Sequence, residues 1–229
     1  MNKVILVGNL VRDPEYRTTG SGIPVCNFRI AVTRRFANQQ GVRESDFIDC
    51  VAWRQQADFV HRFFGKGRKI GVIGSSAGGH LAATLLTKFD NGNPKADNAI
   101  DRVSSRPDFG ILCYPVISMK NGITHIGSRN NLIGKKPNPE LIEELSAELH
   151  VRNNTPPCFI WHTAADRGVL PENSMRFASA LAKKNIPYDL HIYQKGGHGI
   201  GLRAKFPFTN AHPWSKDVVF WLKENKIID

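Results

Sequence analysis

The sequence predicts an α/β fold with a truncated parallel sheet, preceded by an all-β segment. Three observations carry that reading. From about residue 69, continuous apolar strand-like runs alternate with helix-length amphipathic stretches, the pattern of a parallel sheet with crossover helices. Before residue 69, the strand-like runs alternate apolar and polar residues with period two and are joined by turn-rich or polar connectors. Between the two lies "GRKIGVIGSSAGGHLAA" (67–83), which reads as a strand, a sharp turn and a helix with no linker in front of it. We therefore expect two regions, residues 1–70 and 71–229.

In the first region, "KVILVGNL" (3–10) is strand-like and "RTTGSGIP" (17–24) reads as a turn-rich connector. In "VCNFRIAVTRR" (25–35), Cys26, Phe28, Ile30 and Val32 alternate with Asn27, Arg29, Ala31 and Thr33, so a half-buried strand is expected. "RFANQQGVRESD" (35–46) is a long polar loop and "DFIDCVAW" (46–53) a further strand. "QQADFVHRFFGKG" (55–67) places Ala57, Val60 and Phe64 at helical spacing and stops at Gly65 and Gly67.

In the second region, "KIGVIG" (69–74), "FGILCYPV" (109–116), "PCFIWHT" (157–163) and "YDLHIYQ" (188–194) read as buried strands. Helices are expected over 77–89, over 138–149 with Pro139 at its first position, over 172–185 with a stripe of Met175, Ala178 and Leu181, and over 214–225 with Trp214, Val218, Trp221 and Leu222 inward.

The 229 residues suffice for one large or two small domains. No apolar run approaches the roughly 20 residues that cross a bilayer, and "MNKVILVGNL" lacks the pattern of a secretory signal, so no membrane partner and a cytoplasmic setting are expected. Cys26, Cys50, Cys113 and Cys158 lie in strand-like runs without C-x-x-C spacing, which reads as reduced core thiols. No cofactor motif or metal-ligand spacing is present, so neither is expected. The net charge of +11 is uneven: residues 1–70 hold 12 Lys+Arg against 6 Asp+Glu. Such a field suits either simple solubility or attraction of nucleic acid.

In 46–53, Ile48, Cys50 and Ala52 point one way, and Phe47, Asp49, Val51 and Trp53 the other. Phe36 sits beside Arg34 and Arg35 in the preceding loop, and Arg54 follows Trp53. Rings interleaved with Arg on an open sheet suit single-stranded nucleic acid, because bases stack on rings and cations follow phosphates. The same residues would equally serve to bury Phe47 and Trp53 against another domain or subunit.

Residues 1–70 closely resemble the N-terminal part of bacterial single-stranded-DNA-binding proteins. The resemblance implies an oligonucleotide-binding (OB) fold, usually assembled as a homotetramer. Phe36, Phe47 and Trp53 fill its stacking positions, with Arg34, Arg35 and Arg54 as phosphate contacts. The family's later strands do not follow in this chain, so the barrel is expected to be partial.

The chemistry of the second region follows from chain order. Gly74-Ser75-Ser76-Ala77-Gly78 is a G-x-S-x-G turn between an apolar strand and a helix. Asp166 follows the strand "CFIWHT", and His198 follows the last strand in "GGHGIGL". A serine hydroxyl needs an imidazole to take its proton and a carboxylate to orient that imidazole. Asp189 competes as the acid but lies inside a strand, and His80 and His162 read as local hydrogen-bonding residues.

"IGVIGSSAGGHLAATL", "LIEELSAELHVRNNTPPCFIWHTAADRGVLPENS" and "YDLHIYQKGGHGIGL" resemble the C-terminal half of α/β-hydrolase acetyl and sugar esterases, over about residues 69–229. That implies a serine esterase of short acyl esters, acetylated sugars among them. Ser76 would be the nucleophile, His198 the base and Asp166 the orienting acid, with the backbone N–H of Ala77 in the oxyanion hole. The family's first strands and its His-Gly-Gly loop do not precede residue 69, so an apolar sheet edge and impaired catalysis are expected. The whole reads as a chimera joined within a strand pattern that both families share, with three readings open: an esterase, a binder of single-stranded DNA, or a non-functional fusion in which each fold has lost the part that completes its site.

Overall fold

The computed structural model describes residues 9–33, 45–64, 69–96, 101–202 and 212–228. It divides into two compact units, residues 1–68 with 91–104, and residues 69–90 with 105–229.

The first unit is an antiparallel sheet. Strand β1 (Asn9–Leu10) and β2 (Glu15–Thr18) both pair with β3 (Pro24–Thr33), at opposite ends of it. Strand β4 (Ser45–Trp53) pairs with β3 throughout, from Val25 opposite Trp53 to Thr33 opposite Ser45. Helix α1 (Gln55–Phe63) follows and buries Ala57 against Cys26 and Ala52, with Phe28 and Val60 at the margin of the cluster.

Three readings change here. The connector over 17–24 begins inside β2, whose four side chains are all exposed and so leave no alternation to read. On β3, Val25 and Ala31 are buried as well as Cys26, because their register partners across the sheet are the large rings Trp53 and Phe47. Helix α1 ends at Phe63, and Phe64 caps it as an exposed residue instead of completing the buried stripe.

The second unit is a parallel sheet in the order β5 (Gly71–Ser75), β6 (Phe109–Cys113), β7 (Cys158–Thr163), β8 (Tyr188–Tyr193). Successive residues of its inner strands point to opposite faces, and both faces are covered. Helices α2 (Ala77–Lys88) and α5 (Glu172–Lys183) pack one face, where Ala82, Ala83 and Leu86 meet Leu112, Cys158, Ile160, Phe177 and Leu181. Helix α6 (Trp214–Glu224) covers the other, where Trp214, Val218 and Trp221 meet Ile111, Cys113, Phe159 and Trp161. Leu86 fills the slot that Gly110 leaves open: a Cβ on Gly110 would lie 2.4 Å from the Leu86 Cδ1.

Strand β5 lies at the rim of this sheet, pairing only with β6 among the described residues. Ile73 there is 64% exposed. The four cysteines are free thiols, three of them buried. Burial pushes the Cys113 thiol up to about 11 and the Cys158 thiol up to about 12, so both stay protonated at neutral pH.

Four expectations shift in this unit. Strand β6 stops at Cys113 because Tyr114 turns to φ 37° and Pro115 follows with no N–H to donate. The helix over 138–149 is two pieces, α4 (Pro139–Glu144) and a 3-10 turn at Ala147–Leu149. Between them the Ser146 hydroxyl donates to the Ile142 carbonyl and accepts from the Met119 N–H, a bond that draws the chain out of helical register. A helix α3 (Ile126–Ile133) forms where no apolar period announces it, started by the His125 ring accepting from the Ser128 N–H. On α5, Met175 is exposed and Phe177 takes the buried place beside Ala178 and Leu181. Among the described residues no helix is long and apolar enough to cross a membrane.

Leu86→Ala is expected to destabilise this unit by about 2–5 kcal/mol. Urea denaturation followed by far-UV circular dichroism measures it, and an unchanged midpoint would contradict the packing described.

Candidate active site

The turn between β5 and α2 is set by close backbone approach. A Cβ on Gly74 would lie 2.2 Å from the Gly78 carbonyl oxygen, and one on Gly79 would lie 2.6 Å from the Pro115 Cβ. A side chain at Gly74 would force β5 and α2 apart, and one at Gly79 would force α2 away from the segment after β6. With both glycines present the chain reverses in one residue, Ser76, held at φ 54°, ψ −123°. That region is strained for a residue with a Cβ. Surrounding bonds hold it there: the Ser76 N–H donates to the Cys113 carbonyl at 3.1 Å, and the Ser76 carbonyl accepts from Gly79 and Val116 at 3.0 Å each. Ala77 opens α2, where first-turn N–H groups have no acceptor within the helix.

The Ser76 Oγ lies 2.7 Å from the His198 Nε2, and the His198 Nδ1 lies 2.7 Å from the Asp166 Oδ2. Three segments after three different strand ends thus meet at one edge of the sheet. An ionised carboxylate only accepts, so the Nδ1 carries the proton and the Nε2 is left to accept from serine. Asp166 is 1% exposed. Its Oδ1 accepts from the Gly168 and Val169 N–H groups at 2.9 and 3.0 Å. Those two donors compensate the burial of the charge. They form an Asx turn that the "DRG" stretch announces only weakly.

His162 lies under the acid, with its Nε2 3.3 Å from the Asp166 Oδ2. That nitrogen also donates to the Val169 carbonyl at 2.9 Å, and its Nδ1 accepts from the Ser174 hydroxyl at 2.8 Å. Both ring nitrogens are therefore used locally, and burial lowers its pKa, which keeps the ring neutral. His80 is likewise buried and donates to the Leu145 carbonyl at 2.7 Å, with its pKa lowered by burial. Asp189 stays half-buried in β8, 3.7 Å from His191.

On the first unit, antiparallel register puts Phe47, Val51 and Trp53 on one face, 49%, 54% and 52% exposed. Between the rings, Arg29 donates two bonds to Asp49, at 2.5 and 2.6 Å, an ion pair that sequence reading did not single out. Arg54 is exposed next to Trp53. Arg34, Arg35 and Phe36 lie outside the described residues. No cluster of three or more His, Cys, Asp or Glu suited to a metal occurs among the described residues.

Sequence reasoning did not mark Gly79, Gly168 and Tyr114 as parts of this site. The doubled glycine at 78–79 was the available signal for the first. The other two act through backbone turns and ring packing that periodicity does not show.

His80, His162 and His212 all have pKa values lowered by burial. The folded state then holds fewer protons than the unfolded chain at acid pH. Stability is full above the ordinary imidazole value, near 6.5, and is lost as pH falls below it. A thermal melt series from pH 7.5 to 5 should show a falling Tm, and a flat series would contradict it.

Two families match separate stretches of the chain. The single-strand binding protein family matches residues 1–77, a span that runs through β5 and past Ser76. The prolyl oligopeptidase family matches residues 108–225, just over half of the chain. Single-stranded DNA-binding protein 1 of Staphylococcus aureus is 55% identical over 74 residues, 32% of this chain and 44% of that protein. Endo-1,4-beta-xylanase B of Butyrivibrio fibrisolvens is 41% identical over 134 residues, 58% of this chain and 21% of that protein. The chain thus spans less than half of either relative. The crystal structure of an acetyl ester-xyloside bifunctional hydrolase from Caldicellulosiruptor lactoaceticus is 30% identical with a TM-score of 0.68, covering 89% of this chain and 90% of that one. This chain is a chimera that belongs, through residues 108–225, to the prolyl oligopeptidase family of the α/β-hydrolase fold, with single-strand binding protein sequence at its N-terminus.

Proposed function

We propose that residues 69–229 act as a serine esterase on short acyl esters. The observation that carries this reading is the unbroken hydrogen-bond chain Ser76–His198–Asp166, at 2.7 Å in both links. In the proposed reaction the Ser76 Oγ attacks the ester carbonyl carbon while its proton passes to the His198 Nε2. Asp166 accepts from the Nδ1–H of the imidazolium that forms. The oxyanion receives the Ala77 N–H. Collapse expels the alkoxide, which takes the proton from His198 and leaves an acyl-Ser76. Water, losing a proton to the His198 Nε2, then attacks the acyl carbon; the bond to the Ser76 Oγ breaks, the Oγ takes that proton back, and the carboxylic acid leaves.

An acetyl group on a sugar hydroxyl is the proposed substrate class. The support is the similarity to a hydrolase described as acting on an acetyl ester and a xyloside. Ala77 is the one oxyanion donor assigned. A missing donor costs roughly 10²–10³ in kcat, so slow turnover is expected. Ser76→Ala should lower hydrolysis of p-nitrophenyl acetate on the order of 10³-fold or more. Equal rates for the two proteins would dismiss the reading.

A second reading concerns the first unit. The exposed rings of Phe47 and Trp53 on one sheet face favour binding of single-stranded DNA. Each base stacked on such a ring contributes about 1–3 kcal/mol. Oligo-dT titrated against the chain should change tryptophan fluorescence and bind at least about fivefold more weakly to Trp53→Ala. A response no larger than that to a neutral polymer would count against it.

A further inference from the structure

The segment that carries His198 has no regular structure of its own. Residues 196–202 contain three glycines at positive φ, 128° at Gly196, 74° at Gly199 and 55° at Gly201. Such a loop cannot by itself hold an imidazole in one orientation. The two hydrogen bonds of the ring, to Ser76 and to Asp166, define an axis through its nitrogens. They leave rocking about that axis open.

Tyr114 closes that freedom. It stands directly after β6 at φ 37°, a conformation costly for an aromatic residue, and it is buried. Its N–H donates to the Trp161 carbonyl at 2.7 Å, which holds the turn in place. Its ring packs nearly perpendicular to the His198 ring, 75° between planes and 5.2 Å between centroids. Behind it Trp161 lies at 89° and 4.9 Å, and Trp214 stacks on Trp161 at 14° and 4.9 Å. The series returns to the loop, since the Trp214 Nε1–H donates to the Gly201 carbonyl at 2.8 Å. At the other end of the loop the Thr163 hydroxyl donates to the Gly196 carbonyl at 2.7 Å. The loop is therefore pinned at both ends and braced in the middle.

We propose that Tyr114 is a positioning residue for the reaction, its ring fixing the plane of the His198 imidazole, with Trp161 and Trp214 tying that ring to helix α6. The proposal rests on the reading of Ser76, His198 and Asp166 as a triad. The ring performs this role, and the hydroxyl, which lies beside the Ser75 side chain and the Gly201 backbone N–H, is secondary. Misplacing a reacting group by about 1 Å costs up to a hundredfold in rate.

The test uses the full chain and p-nitrophenyl acetate. Tyr114→Leu should lower kcat on the order of tenfold or more with KM within about twofold, while Tyr114→Phe stays within about threefold of the unsubstituted protein. The downfield proton resonance of the His198–Asp166 bond should broaden or move in Tyr114→Leu and persist in Tyr114→Phe. A folded Tyr114→Leu protein with unchanged kcat overturns the proposal, as does a Phe variant as slow as the Leu variant. Should Tyr114→Leu fail to fold, Trp214→Phe removes the bond to Gly201 and shrinks the ring stacked on Trp161 while leaving Tyr114 in place. It should lower kcat several-fold at unchanged KM, and an unchanged kcat overturns the proposal. If the unsubstituted chain neither hydrolyses the ester nor reacts with a fluorophosphonate at Ser76, the triad reading itself fails. That result is distinct from an active protein indifferent to Tyr114.

Discussion

The site depends on one steric constraint: two backbones must touch where β5 turns into α2. The Gly74 position faces the Gly78 carbonyl, and the Gly79 position faces Pro115, at separations that no Cβ occupies. Contact at that distance forces the reversal into a single residue, and that residue is Ser76. Its side chain then projects away from both strand and helix toward the loops after β7 and β8. The strain at Ser76 is held by three backbone hydrogen bonds to β6, to α2 and to the segment after β6. His198 and Asp166 complete the arrangement only because the turn has already aimed the hydroxyl.

Most of the second unit was legible because its strands are short continuous apolar runs, the mark of a sheet covered on both faces. Ser76, Asp166 and His198 could be picked out by chain order, since each follows a strand that the pattern makes plain. What the pattern could not show were interactions between backbone and side chain. Ser146 interrupts a helix with a bond to Ile142, and His125 starts one with a bond to Ser128. Neither leaves a trace in apolar spacing. Met175 misled because a stripe at helical spacing can be drawn through either of two adjacent faces, and only packing shows that Phe177 occupies the inner one. In the first unit the alternation on β4 was legible and that on β3 was half legible, because Phe47 and Trp53 shelter Ala31 and Val25 from the neighbouring strand.

That the single-strand binding protein match runs into a strand of the parallel sheet has a simple physical basis. "KIGVIG" is a β-branched, glycine-punctuated run, and such a run satisfies a barrel strand and a parallel strand equally well. The single-strand binding protein match continues through it to residue 77, while in the fold it pairs in parallel with β6 from Gly71 opposite Phe109 to Ser75 opposite Cys113. Strand identity is decided by the partner, and the partner here comes from the second unit.

The rim position of β5 bears on how the turn at Ser76 comes apart on warming. A strand bonded along one side opens at lower free energy than one bonded along both, as β7 is between β6 and β8. Amide hydrogens of residues 71–75 would then exchange with solvent sooner than those of residues 158–163. Ser76 follows one of the two rim strands, so its setting would loosen ahead of global unfolding. The temperature at which the Ser76 turn keeps its shape is set by local breathing at the margin of the sheet and not by the strength of its core alone.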